Sequence, residues 1–477
     1  MALPPSDFVN PKLTAKINRQ LEEPLIFVFS SMGSGIPSYL FLQSTFFGYL
    51  RSIAKWQNTN GRDESHQNSR DDSRLVFGRL QRQKIRISRD HIMESTIKIM
   101  DLYGTSSFLL EIEYFDEVGT GLAPTLEFYS IASHEFTRKS LGLWRNVDDL
   151  SGNDFVFSPN GLFPMPLNCD FKDSDIENLF KVMGKFIARS ILDSRIIDIS
   201  INPMFFRIAS DVNDVRLSIE SISEIDENLA KSLRFLLQFE IAKKKILNKD
   251  ICENEKEQLL KDIKVQGMSI DEFSLNFTLP GFPDVHLITN GDEKIVTIYT
   301  IGEYIDLIID FTIGKGVREQ INAFRDGFSS VLPYSSLALF TPEELSMLFG
   351  QGKEDWSIET LIDSIKADHG YNMDSRSIQN FLDILANMND MERRQFLQFI
   401  TGSPKLPIGG FKSLNPPLTV VCKTHEPPLT PNDYLPSVMA CVNYLKLPDY
   451  TTKKIMKSKL FLAIKEGQAI LVNENTF

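Results

Sequence analysis

Cysteine is scarce in this chain of 477 residues: Cys169, Cys252, Cys422 and Cys441 are the only four, and they are widely scattered. No two have zinc-ligand spacing, so no metal site is expected, and a reduced, intracellular protein is the simplest inference. No uninterrupted apolar run is long enough to span a bilayer, and Met1-Ala2-Leu3-Pro4-Pro5 does not read as a secretory signal. Positive charge is also short. The net charge of −12 argues against a nucleic-acid surface, and there is no internal repeat. Gly119-Thr120-Gly121 lacks the further glycine or Gly-Lys-Ser/Thr of a nucleotide loop, so it reads as a structural turn. Neither nucleic acid, membrane nor cofactor is therefore expected.

What is present describes an ordinary soluble chain, 42% hydrophobic and 24% charged, long enough for about three domains. Its charge is uneven. Ser375 to Phe477 holds 12 Lys/Arg against 8 Asp/Glu, or +4, leaving −16 on the rest. Either two parts with different partners or uneven solvation explains that.

Along the chain, Tyr39 to Leu50 is apolar and aromatic-rich and predicts a buried helix. The polar stretch 57–73 predicts a mobile loop. Alternation in Lys84-Ile85-Arg86-Ile87 suggests a strand with one charged face, Ile92 to Tyr103 a helix, and Phe108 to Phe115 a strand. Pro124 opens the next helix, where its missing N–H costs nothing, and Phe180 to Ile191 gives a long one. Residues 240–270 are charged and helix-prone. Ser274–Leu279 and Lys294–Ile298 read as strands.

The most informative residue is Cys441. It lies on a short apolar stretch between a proline-rich segment, Glu426 to Asp433, and an amphipathic helix, Thr451 to Glu466, with Thr451 or Thr452 as its cap and Gly467 at its end. A thiol so placed can be both held and approached. A thiolate attacks esters and thioesters well, and its own thioesters stay reactive, which suits carrying an acyl group. A buried apolar cysteine is the alternative.

The surrounding residues decide between these. Cys441-Val442-Asn443-Tyr444-Leu445-Lys446-Leu447-Pro448-Asp449-Tyr450, the block Phe396 to Phe411 and the block Glu113 to Tyr129 together closely resemble HECT-type ubiquitin ligases. Their wording is most similar to the ubiquitin-fusion-degradation branch, and the likeness runs with gaps from about Lys12 to the C-terminus. The resemblance implies an α+β, bilobal fold. Residues 1–105 would be an N-terminal helical extension and 106–370 a larger, mostly helical N-lobe with a conjugating-enzyme-binding subdomain at about 215–310. Residues 371–375 would be a hinge and 376–477 an α/β C-lobe.

It implies that Cys441 accepts ubiquitin from a conjugating enzyme and passes it to lysines of a protein substrate or of ubiquitin, leading to proteasomal degradation in the cytoplasm or nucleus. Thioester exchange changes little bond energy, so approach and orientation dominate and no strongly activating base is obligatory. Asn443 is a candidate for positioning the cysteine. His425 is either an assisting group or an exposed loop residue, and Glu474 either orients an acceptor lysine or is a solvated carboxylate. Family position marks Leu233, Leu236, Phe239, Phe273, Leu275, Tyr304 and Ile308 for the conjugating-enzyme surface; the same spacing fits residues that pack their own subdomain. Tyr371, Asn372, Met373 and Asp374 form the expected hinge, because one cysteine must meet two partners. Two departures stand out. Met439-Ala440 replaces the family's usual His-Thr, and the last phenylalanine is Phe477 itself. They leave open a catalytically weak binding scaffold. A cysteine peptidase using Cys441 and His425 lacks its local signature.

Overall fold

A computed structural model of the chain describes residues 82–470, apart from 107, 116, 118–121, 146–153, 168–173, 194, 211–216, 352–353 and 408–409. The expected helix within 39–50, the loop 57–73, Gly119, Gly121, Glu474 and Phe477 lie outside the described residues. The described chain is α+β and divides into two units. One comprises 82–135, 186–199 and 347–470; the other comprises 136–185 and 200–346.

The first unit opens with β1 (Arg82–Ile87), α1 (Ile92–Tyr103) and β2 (Leu109–Tyr114), the two strands pairing in parallel around the helix. Arg82, Lys84 and Arg86 alternate along β1 as expected of a charged face. They meet carboxylates on the neighbouring strand: Lys84 Nζ is 2.7 Å and Arg86 Nε 3.2 Å from Glu113, and Arg82 is 3.5 Å from Glu111. Because β1 is laddered to β2, no domain boundary falls at residue 105, and the region described before it is not purely helical. In α2 (Leu122–Glu135), Pro124 sits in the first turn, and Thr125 Oγ1 accepts a hydrogen bond from the Ile112 N–H at 2.9 Å. The rings of Phe128, Tyr129 and Phe186 pack edge-on or tilted, the last from the C-terminal half of α3 (Ser174–Asp193).

The second unit holds the start of α3, then α4 (Pro203–Ser210), α5 (Ile219–Ser223), α6 (Glu227–Leu247) and α7 (Glu253–Lys261). The hairpin β3 (Thr278–Leu279) and β4 (Phe282–His286) follows, then α8 (Ile301–Ile313), α9 (Arg318–Ser329) and α10 (Pro342–Ser346). Trp144, Phe180, Phe205 and Phe324 form its aromatic core. Helices α3 and α9 approach so closely that a Cβ on Gly184 would strike the Phe324 carbonyl, and one on Gly327 the Lys181 carbonyl. Asp226 caps α6, accepting from Asn228 N and Leu229 N at 3.0 Å each. The expected strands 274–279 and 294–298 shrink to β3 and one isolated bridge, Asn276 to Ile295. The Phe277 N–H donates to the Gly291 and Lys294 carbonyls, so a turn replaces the ladder.

The first unit ends in a sheet packed against helices: α11 (Ile358–Ser364), β5 (Lys366–Asp368), α12 (Arg376–Ala386), α13 (Asp390–Thr401), β6 (Thr419–Cys422), β7 (Ser437–Met439), β8 (Tyr444–Leu447) and α14 (Lys453–Ile470). Strand order is β5-β6-β8-β7, with only β7 antiparallel. One buried cluster joins Trp356, Leu361 and Ile365 to Phe381, Val420, Leu445 and Leu460. Tyr371, Asn372, Met373 and Asp374, the expected hinge, lie in a turn between β5 and α12, both anchored in the same core. Tyr371 Oη donates to the Leu447 carbonyl at 3.0 Å, the Asn372 N–H donates to Ser375 Oγ at 2.9 Å, and Met373 packs on the core.

Candidate active site

Strands β7 and β8 are antiparallel neighbours joined by a single helical turn, Ala440–Val442, with Cys441 in its middle. The turn closes because Asn443 adopts the left-handed conformation (φ 50°, ψ 47°) and its N–H donates to the Ala440 carbonyl at 3.3 Å. Asparagine tolerates that region better than most residues. Its carbonyl accepts from Thr419 N at 3.0 Å, at the start of β6, and its side-chain Nδ2 donates to the Pro416 carbonyl at 2.7 Å. The turn therefore hangs from the inner strands of the sheet, and it packs beside α2 and α13. Met439 and Val442, on either side, are exposed.

The proline-rich segment before the turn is also held. Asn432 bonds Thr451 through both its amide groups, Tyr450 Oη donates to the Tyr434 carbonyl at 2.8 Å, and Lys423 Nζ donates to the Leu435 carbonyl at 2.8 Å. Burial, with Lys446 nearby, pushes the Lys423 ammonium below the usual lysine range, and burial pushes the Tyr450 phenol above its own. Lys446 and Tyr450 lay in the block that suggested the site, and Asn432 and Thr451 in the segments flanking it, whereas Lys423, Tyr434 and Leu435 carried no signal. Asn432, inside Pro431-Asn432-Asp433, carried a turn signal that pointed to the loop but not to its partner. Thr452, not Thr451, caps α14, its Oγ1 accepting from Ile455 N at 3.2 Å, and the helix runs past Gly467 to Ile470. His425 is exposed on the loop after β6. Among the described residues no group of three or more His, Cys, Asp or Glu side chains is placed to hold a metal ion. No described helix is long and apolar enough to cross a membrane.

The residues marked for the conjugating-enzyme surface lie elsewhere, on α6, the β3 approach and α8. Leu233, Leu236, Phe239, Tyr304 and Ile308 are all buried, and Phe273 and Leu275 are half-buried. Phe273 packs edge-on to Phe235 and Phe239, and Phe277 to Tyr304. The five buried side chains pack within their own subdomain. The exposed apolar groups among the described residues of this region include Leu217, Ile241, Leu247, Leu259, Ile295 and Tyr299.

The HECT-domain (ubiquitin-transferase) family matches residues 130–471, a span that includes the cysteine turn and the sheet behind it. The chain belongs to this family. Over 97% of its length this HECT chain is 47% identical to a probable ubiquitin fusion degradation protein of Schizosaccharomyces pombe, covering 28% of that protein. It is 41% identical over 96% to ubiquitin fusion degradation protein 4 of Saccharomyces cerevisiae, covering 31% of it. It is also 38% identical over 98% to the E3 ubiquitin-protein ligase TRIP12 of Danio rerio, covering 24%. The chain thus spans about a quarter to a third of the length of these relatives.

Proposed function

We propose that this HECT chain is a ubiquitin-protein ligase in which Cys441 takes ubiquitin from a conjugating enzyme as a thioester and hands it to a lysine amine. The observation that carries the reading is the cysteine turn itself. It is a family-matched segment in which Cys441 sits on one short helical turn fixed to two inner strands. In the first step the Cys441 sulfur attacks the thioester carbonyl, the conjugating enzyme's thiolate leaves, and the proton lost from Cys441 balances the one that thiolate takes up. In the second, a neutral lysine amine attacks, Cys441 leaves as thiolate, an isopeptide bond forms, and the proton the amine nitrogen loses balances the one the Cys441 thiolate takes up. The sheet's part is to hold the turn still while partners approach, which is where orientation pays in rate.

The chain must also let Cys441 meet two partners. With 371–374 packed on the sheet's own core, the pivot best supported lies at Gly350, upstream of Trp356. Gly350 breaks the helical backbone there (φ 174°, ψ −28°). Substrate lysines on proteins bound for degradation fit the names of the two yeast relatives, and a cytoplasmic or nuclear location belongs to the same proposal.

The test is to mix the protein with activating enzyme, conjugating enzyme, ATP and ubiquitin. A reductant-sensitive adduct that disappears in Cys441→Ala supports the reading. An adduct that survives the substitution sinks Cys441 as nucleophile. Binding of the conjugating enzyme with no adduct at all makes the chain a scaffold, the outcome that Met439-Ala440 would explain.

A further inference from the structure

Asn443 spends each of its polar groups except the side-chain carbonyl on fixing one turn. Its backbone N–H closes the turn onto Ala440, its backbone carbonyl takes the Thr419 N–H, and its Nδ2 reaches the Pro416 carbonyl at 2.7 Å, 27 residues back in the chain. The residue is 8% exposed, so the amide bond is made away from water, where losing a partner costs most. Its φ of 50° excludes most side chains at little cost only to glycine, asparagine and aspartate. Two independent demands, a left-handed backbone and a buried side-chain donor, therefore meet at a single position two residues after Cys441. Glycine satisfies only the first. Aspartate satisfies the first, and the second only when protonated.

We infer that Asn443 is the positioning residue for Cys441: through Pro416 and Thr419 it locks the cysteine turn to β6, and so sets where the sulfur stands when a thioester is presented. One of the two Nδ2 hydrogens goes to the Pro416 carbonyl, and that bond is the one that positions the turn. The nearer strand β7 cannot do the same work, since it is the edge of the sheet and pairs on one side only, with β8. The inference rests on the thioester reading and deepens it.

The experiment uses the whole chain, single-turnover transfer from ubiquitin-loaded conjugating enzyme, and three proteins: wild type, Asn443→Gly and Asn443→Asp. Asn443→Gly keeps the left-handed backbone and loses the tether. It is expected to form the Cys441 adduct about tenfold to a hundredfold more slowly, the cost of a misplacement of up to about 1 Å. Half-saturation for the loaded conjugating enzyme should be unchanged, because the subdomain carrying the marked residues is untouched. Asn443→Asp sets a carboxylate against the Pro416 carbonyl oxygen at neutral pH. As pH falls towards the carboxyl's pKa, protonation restores an O–H donor, so the rate relative to wild type should recover. A purely structural role predicts no such recovery in a variant that is folded throughout, as melting curves at each pH would establish. Wild-type rates in both folded variants, or a loss confined to half-saturation, overturns the inference. A wild-type protein that forms no adduct overturns the thioester reading instead, so the two failures are distinct.

Discussion

Arg189 and Asp193 form an ion pair one turn apart on α3, Nε to Oδ2 at 3.0 Å, with both side chains almost wholly buried. Tyr129 Oη donates to the same Oδ2 at 2.9 Å, and the other two guanidinium nitrogens donate to the carbonyls of Ser106 and Phe108. Arg189 thus ties the link between α1 and β2 to α3, and through Tyr129 the carboxylate reaches α2. Desolvation offsets much of the pair's attraction, but removing one partner strands the other charge.

Asp193→Asn is therefore expected to destabilise the chain by about 3–5 kcal/mol, read as a lower midpoint in urea. The double change Arg189→Met with Asp193→Leu should cost clearly less than the two single changes added together. Strict additivity would show that the two charges do not depend on one another.

The burial on α6 and α8 makes a second prediction. Phe239→Ala should cost about 3–5 kcal/mol and Leu233→Ala about 2–5 kcal/mol, while Ile295→Ala, at an exposed position, should stay within about 0.5 kcal/mol. Denaturation curves give the stabilities, and titration with a conjugating enzyme gives the affinities. For Phe239→Ala the loss of binding should follow the fraction unfolded. A fully folded Phe239→Ala protein with selectively weakened binding would return Phe239 to the partner surface.

These residues also show where reading a sequence stops. Spacing of i, i+3 and i+4 on Leu233, Leu236 and Phe239 is the same whether a helix faces its own core or a partner, so periodicity could not separate the two. The cysteine turn was legible because its neighbours in sequence are its neighbours in space: β7, the turn and β8 are contiguous. Asn443 was noticed as a neighbour of Cys441, but the bond that defines it reaches Pro416, and no local pattern records that. The expected hinge is a similar case. Asp368 to Asp374 is polar and holds a glycine, as a linker would, but β5 is three residues long and too short to signal itself. What ties this stretch down is remote in the chain: β5, just before it, pairs with β6, and Tyr371 bonds the Leu447 carbonyl of β8. Helices α1 and α3 and strands β1 and β2 lay close to expectation, since each carries its own period.

Lys405 supplies a pH prediction. Burial first, then the nearby Arg394 charge, lower its ammonium to about 8, Glu354 opposing. Asp198 lies 3.8 Å away and is also held by Arg394. Between pH about 8 and its ordinary value of 10.5 the unfolded chain keeps a proton that the folded chain has shed, so stability contributed at this site rises with pH across that window and is lowest below it. Lys405→Met removes the effect and leaves Asp198 paired with Arg394. The variant should be the more stable protein at pH 7, by about 1–3 kcal/mol, and the gap should close as pH approaches 10. Melting temperatures at the two pH values check both the sign and the window; a gap that widens with pH would show that the charged form of Lys405 is the favoured one.

The proposed pivot is open to a direct kinetic test. If the chain just upstream of Trp356 lets the cysteine-bearing sheet move between partners, prolines in place of Gly352 and Lys353, which fix φ and restrict the preceding residue, should hinder that movement. Such a change should leave unfolding within about 0.5 kcal/mol of wild type, because the core cluster begins at Trp356. It should slow one of the two transfers by about tenfold or more, since each needs its own approach geometry. Tyr371→Phe is the opposite case. It removes the bond to the Leu447 carbonyl and should cost about 1 kcal/mol of stability with both transfer rates intact. Pulse-chase quench-flow with labelled ubiquitin separates the loading of Cys441 from its discharge onto lysine. Were the proline pair to leave both steps unchanged while Tyr371→Phe selectively slowed one, the moving joint would lie at 371–374 after all, and the sheet's grip on that turn would have to be released during the reaction.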